Sequence, residues 1–136
     1  MRTTTSFRVT GWDPKPYEEG EPGPSLFRVA VRKSFDGDLK GESRGELLMC
    51  VADGDNLAAG AGYVISERVV GTLGGRAGSF VVQHWGVSGG GQDQHTAGHV
   101  VPGSGTAGLA GLTGRTEIVT DASGKHALML DYEFGA

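Results

Sequence analysis

From Gly60 to Trp85 the chain reads GAGYVISERVVGTLGGRAGSFVVQHW. Two runs rich in β-branched and aromatic residues flank the turn Gly71-Thr72-Leu73-Gly74-Gly75. Strand side chains alternate between faces, and glycine supplies the backbone freedom of a sharp reversal, so this stretch predicts a β-hairpin. The same pattern recurs along the chain. Ser6–Trp12, Leu26–Phe35, Leu39–Val51, Gly60–Val70, Gly78–Trp85, His99–Val101, Thr116–Thr120 and His126–Phe134 read as strands. Asp36-Gly37, Asp53–Asn56 and Asp121–Lys125 read as turns. Asp13–Ser25 carries four prolines and reads as a surface loop, because proline cannot donate to a central ladder. Val87–Ala97, glycine-rich and polar, reads as a mobile loop, and Pro102–Gly114 as small residues around Leu109 and Leu112. No helix is predicted beyond a short turn near Asn56 or Leu109.

Glycine makes up 25 of the 136 residues, against an ordinary share of roughly 7%. The glycines follow no collagen-like period and fall between apolar residues, so they mark turns and strand bends. The resulting expectation is all-β: a single eight-stranded antiparallel β-barrel occupying residues 1–136 as one domain. A barrel is preferred to a sandwich because closure removes the edges that this hydrophobic set would otherwise expose.

Bulk chemistry narrows the function classes. The net charge is −4, and the largest local excess is acidic, at Glu18, Glu19 and Glu21. No basic stripe is visible in the sequence, so nucleic acid is not an expected partner. Cys50 is the only cysteine, which excludes an internal disulfide and a thiolate zinc site. The opening MRTTTSFRVTGW has no apolar signal core, and no apolar run approaches the roughly 20 residues a membrane span needs. The expectation is a cytoplasmic protein with no membrane partner.

Candidate chemistry concentrates in the central hairpin. Tyr63, Ile65, Glu67 and Val69 share one strand face. If that face lines a barrel, burial raises the pKa of Glu67 and makes it a general acid near neutrality. The structural alternative pairs it with Arg76 as a buried ion pair that fixes register. Arg76, Phe80, Val82 and His84 share a parity on the return strand. Arg76 then holds a substrate carboxylate or clamps Glu67, and His84 relays a proton or is a hydrogen-bonded core histidine. Tyr132 lies on the apolar face of Leu128, Leu130 and Phe134, where its phenol steadies a ligand oxygen or its ring only packs. Tyr63 is read the same way.

Other motifs carry less. Gly103–Gly108 matches G-x-G-x-x-G but lacks the helix and βαβ unit of a nucleotide site. His95 and His99 lack an obvious third ligand, so no metal is expected. Ser104 sits on no strand-to-helix elbow, and Cys50 reads as a small buried hydrophobe.

Several motifs in order carry a family resemblance: Trp12; Phe35-x-Gly37-x-Leu39-x-Gly41-x-Ser43; Gly62-Tyr63 with Glu67-Arg68; Gly71-x-Leu73-x-Gly75-Arg76-x-Gly78-x-Phe80; Gln83-His84; Pro102–Thr106 with Leu109; Gly111-Leu112-x-Gly114; and Asp131-Tyr132. Over nearly its whole length the chain resembles the bacterial family of domain of unknown function 3224. The resemblance implies an allene oxide cyclase-like, calycin-like barrel with a central cavity, and it implies no activity. The wider fold group includes cyclases that shape reactive apolar substrates, which is fold analogy only.

Two readings of function follow. In the first, the chain is a cofactor-free isomerase or cyclase acting on a hydrophobic small molecule. Glu67 moves the proton, His84 assists and Arg76 anchors, while Tyr63, Phe80, Tyr132 and Trp12 shape the walls. In the second, it is a non-catalytic barrel that binds a hydrophobic ligand. A filled barrel serving as an interaction module is the third possibility, and self-association through exposed barrel walls fits each of them.

Overall fold

The fold was obtained as a computed structural model, and it describes residues 1–120 and 123–135. Eight strands follow one another: β1 (Arg2–Tyr17), β2 (Ser25–Asp36), β3 (Leu39–Val51), β4 (Ala61–Leu73), β5 (Arg76–Gly89), β6 (Gln92–Val100), β7 (Leu112–Thr120) and β8 (His126–Phe134). Each pairs antiparallel with its sequence neighbour, and β8 pairs back onto β1, so one sheet closes in a ring. The only helical turns among the described residues are short 3-10 segments at Leu57–Ala59 and Ala107–Leu109. They stand where the sequence allows a turn. The reversal expected at Asp121–Lys125 includes residues 121 and 122, which lie outside the described residues.

Two segments depart from the sequence reading. Asp13–Tyr17 is strand, not loop. Beyond Ser6, β1 pairs with β2 alone, so Pro14 and Pro16 sit on a one-sided strand whose other side needs no donor. Val87–Ala97 is likewise ordered pairing: it ends β5, turns through Gly89–Gly91 at positive φ, and returns as β6. Three glycines there supply backbone conformations that L side chains adopt rarely.

A bulge between Val9 and Gly11 shifts the alternation of β1. It brings Trp12 opposite Val31, and hence onto the inner face with it. Closure is uneven around the ring. β1 meets β8 only over Arg2–Ser6, and β6 meets β7 over Gly98–Val100. The Thr96 hydroxyl extends that short seam by bonding both backbone groups of Ile118.

The interior divides in two. One apolar cluster, centred on Leu39, Leu73, Phe80, Leu109, Leu112 and Leu130, seals one end. A smaller one, Val29, Val31, Leu47 and Ile65, backs the other half together with partly buried Phe27, Met49 and Tyr63. Lys33, Ser43, Glu67 and His84 are polar, buried and inward-facing, and form a polar layer within this apolar interior.

Candidate functional site

Strand alternation explains how four polar side chains reach the interior. Lys33 is in phase with buried Val29, Val31 and Phe35 on β2, and Ser43 with Leu39 and Leu47 on β3. Glu67 is in phase with Ile65 and Val69 on β4, and His84 with Phe80 and Val82 on β5. Glu67, 3% exposed, is the hub. Its Oε1 accepts from Lys33 Nζ at 3.2 Å and lies 2.9 Å from His84 Nε2, while its Oε2 accepts from Ser43 Oγ at 2.7 Å. Lys33 Nζ also lies 4.8 Å above the Phe7 ring centroid.

Glycines make room for this layer. A Cβ at Gly45 would come within 2.9 Å of Glu67 Cβ. One at Gly86 would lie 2.6 Å from the Tyr63 ring, and one at Gly98 would collide with His84 Cβ. All three stand at inward positions where any larger residue would displace a polar side chain.

The electrostatics correct the expectation for Glu67. Burial alone pushes its carboxyl up, and that is the largest single effect. The hydrogen bond and charge of His84, the charge of Lys33 and the hydrogen bond from Ser43 together outweigh it and hold the pKa at about 2. Glu67 is therefore a fixed carboxylate and not a general acid near neutrality. An ionised carboxylate has no proton to give, so His84 Nε2 carries the hydrogen of their shared bond. In the neutral ring this leaves Nδ1 as an acceptor. Nδ1 faces the Tyr63 hydroxyl at 3.4 Å, with the two rings edge-on at 5.7 Å. Burial first, and the Glu67 charge second, push the Tyr63 phenol up to about 12, so it remains protonated. The Thr116 hydroxyl, buried beside Gly98 and His84, has no hydrogen-bond partner among the described residues.

Arg76 does not join Glu67. Leu73 pairs with Arg76 and Glu67 with Val82, which separates them by roughly 20 Å of strand. Arg76 is exposed at the hairpin end and stacks 4.0 Å above the Phe134 ring. The buried pair that the sequence suggested exists with a different cation, Lys33. Phe80 and Tyr132 belong to the apolar cluster at the sealed end. The Tyr132 hydroxyl points toward Gly74 at the β4–β5 turn, away from His84. Trp12, 49% exposed, and Val9, 48% exposed, stand on the inner face of the one-sided part of β1, where the ring is open.

Sequence reasoning missed Lys33 and Ser43. Their signal was available: each interrupts an otherwise apolar or glycine phase of its strand. Gly103–Gly108 straps β5 rather than cradling a phosphate. The Ser104 and Thr106 hydroxyls accept from the Val81 and Ser79 amides at 3.0 Å each. His95 lies edge-on to Trp85 at 5.3 Å and His99 is exposed. No helix among the described residues is long and apolar enough to cross a membrane.

Residues 3–132 match the family model described as protein of unknown function (DUF3224). A crystal structure of a protein of unknown function from that family, from Shewanella oneidensis MR-1, is 38% identical. The match covers 100% of this chain and 98% of that one, with a TM-score of 0.86. No curated protein matches the chain.

Proposed function

This chain belongs to the DUF3224 family, and from the geometry of its interior we propose that it is a cofactor-free isomerase of the cyclase type, acting on an apolar small molecule with an acidic C–H beside a carbonyl. The observation that carries the reading is the chain Glu67–His84–Tyr63, which ends in a half-buried phenol. The Tyr63 oxygen takes a proton from the substrate carbon as its own proton passes to His84 Nδ1. The fixed carboxylate of Glu67 stabilises the imidazolium that forms. The Thr116 hydroxyl, without a partner among the described residues, supplies a donor for the enolate oxygen. Reversal at a different carbon returns the proton and completes an isomerisation. The open half of the ring, with Trp12, Phe27 and Met49 on its inner face, is the apolar entrance. A cytoplasmic setting suits the single Cys50.

The test is solvent deuterium incorporation into a panel of apolar ketones, followed by NMR. Catalysed exchange is expected with the native chain. It should be lost in Tyr63→Phe and His84→Asn, while uptake of the apolar dye Nile red persists. Exchange at the buffer rate throughout overturns the catalytic reading. One observation favours a second reading, a binding barrel without chemistry: Lys33 and Ser43 engage one oxygen each of Glu67, as a structural network does. Dye uptake without any exchange selects it.

A further inference from the structure

The outer face of β2–β5 carries a pattern that the interior chemistry leaves unused. Leu48, Val64 and Trp85 stand abreast on β3, β4 and β5, at 46%, 53% and 40% exposure. Beside them Leu26, Cys50 and Val87 extend the row toward the β1–β2 end. Together they present on the order of 400 Å² of apolar surface, within the roughly 300–600 Å² of the largest, often functional, patch on a soluble monomer. Shallow grooves of ≈ 570 and ≈ 390 Å³ run along its two sides.

Charge flanks this row along the strands, with the Arg28–Glu46 ion pair at its β2 edge and Glu42 on the same face as Arg44, two residues away. Arg32, Arg44 and Arg68 are aligned across β2, β3 and β4, each directly opposite the next. They are exposed, and among the described residues none forms an ion pair. Like charges directly opposite destabilise a sheet, and the carboxylates two residues either side of Arg44, Glu42 and Glu46, form no ion pair with the ladder among the described residues. At the other end of the same strands lie the acidic turns: Asp53 and Asp55 after β3, and Glu18, Glu19 and Glu21 between β1 and β2. Arg44 lies as far from Leu48 in one direction as Ala52, next to Asp53, lies in the other. Arg68 and Gly60 flank Val64 in the same way.

We propose that this face is the interface of a two-fold symmetric dimer, and that its occupant is a second copy of this chain. A two-fold axis lying in the face and running across the strands through Leu48 and Val64 reverses the strand direction of the partner. It stacks the apolar row on its own image and sets each arginine ladder over the partner's acidic turns. Two sheets packed this way keep their strands within about 30° of alignment. The apolar row forms the centre, and the charged ends complete the roughly 800 Å² a side of a standard interface. An axis along the strands would set Arg44 against Arg68 and is excluded by its charges.

Charge reversal tests the arrangement by sedimentation equilibrium, with circular dichroism to confirm folding. The native chain should be dimeric. The variant Arg44→Glu/Arg68→Glu faces its own acidic turns in a homodimer, and Asp53→Arg/Asp55→Arg faces its own arginines, so each alone should be monomeric. An equimolar mixture restores both contacts and should return a dimer containing one copy of each. Val64→Asp, at an exposed position, should also give a folded monomer. A native chain that sediments as a monomer overturns the proposal, as do reversal variants that dimerise like the native chain. A monomer that takes up Nile red on this face instead assigns the grooves to a small ligand and overturns it too.

Discussion

At the scale of single residues, Glu67 decides what the interior can be. An uncompensated carboxylate there would take up a proton, and an unpaired ammonium is also costly to bury. Each instead carries the other, 3.2 Å apart and almost fully buried. Removing one partner leaves a buried charge without its counterpart, which typically costs about 3–5 kcal/mol. Glu67→Gln is therefore expected to lower unfolding stability by about that amount in urea titrations. The double variant Lys33→Met/Glu67→Gln should cost clearly less than the two single changes added together. Additive losses would show that the two side chains do not sense one another. The sequence made Glu67 legible because its own strand is apolar on that face. It did not name the partner, since Lys33 lies on a different strand and pairing depends on register, which alternation alone does not fix. Arg76 was the nearest cation of the right parity, and the strand length between them ruled it out.

At the scale of strands, β3, β4, the β4–β5 hairpin and β8 could be read almost directly, because alternation and turn residues agree there. β1 and β6 could not. The prolines of β1 are tolerated because half of that strand has one neighbour, which is a property of closure and not of the local sequence. In β6 the inward phase is Thr96, Gly98 and Val100, too polar and small to register as a buried strand face. Gly98 is small because His84 occupies its side-chain space. Gly98→Ala should consequently cost about 1–3 kcal/mol and shift the imidazole resonances of His84 in NMR spectra. Gly62→Ala is the matched control in β4. Its added methyl would meet Val87 at an ordinary 3.5 Å, so stability should change by less than about 1 kcal/mol and the His84 signals should stay in place. Equal effects of the two substitutions would mean that glycine serves only backbone flexibility in this sheet.

At the scale of the molecule, the polar layer sets the pH range in which the ring is stable. Glu67 titrates at about 2 in the fold against an ordinary 4.5. As pH falls, the unfolded chain takes up this proton first. The contribution of Glu67 is complete above pH 4.5, shrinks below it and is gone near pH 2. Tyr63 works in the opposite direction, at about 12 against an ordinary 10.0. The unfolded chain releases that proton first as pH rises, so this contribution is complete below pH 10.0 and vanishes toward pH 12. Stability against denaturant should thus be level between these limits with respect to both groups and fall at each end. Asp131 adds to the acid limb, because Arg2 chiefly, with Arg115, holds its carboxyl below the usual range. That carboxyl lies at the surface, where salt screens its partners, whereas the buried Glu67 layer is screened little. High salt should therefore shallow the acid limb only in part. Glu67→Gln should remove most of what remains and shallow the alkaline limb only in part, because burial rather than the Glu67 charge is the chief cause of the Tyr63 shift, and Tyr63→Phe should remove the alkaline limb and leave the acid limb in place. An acid limb equally steep in Glu67→Gln and the native chain would mean that the protons lost on folding belong to surface groups, and that the layer inside the ring carries no ionised carboxylate.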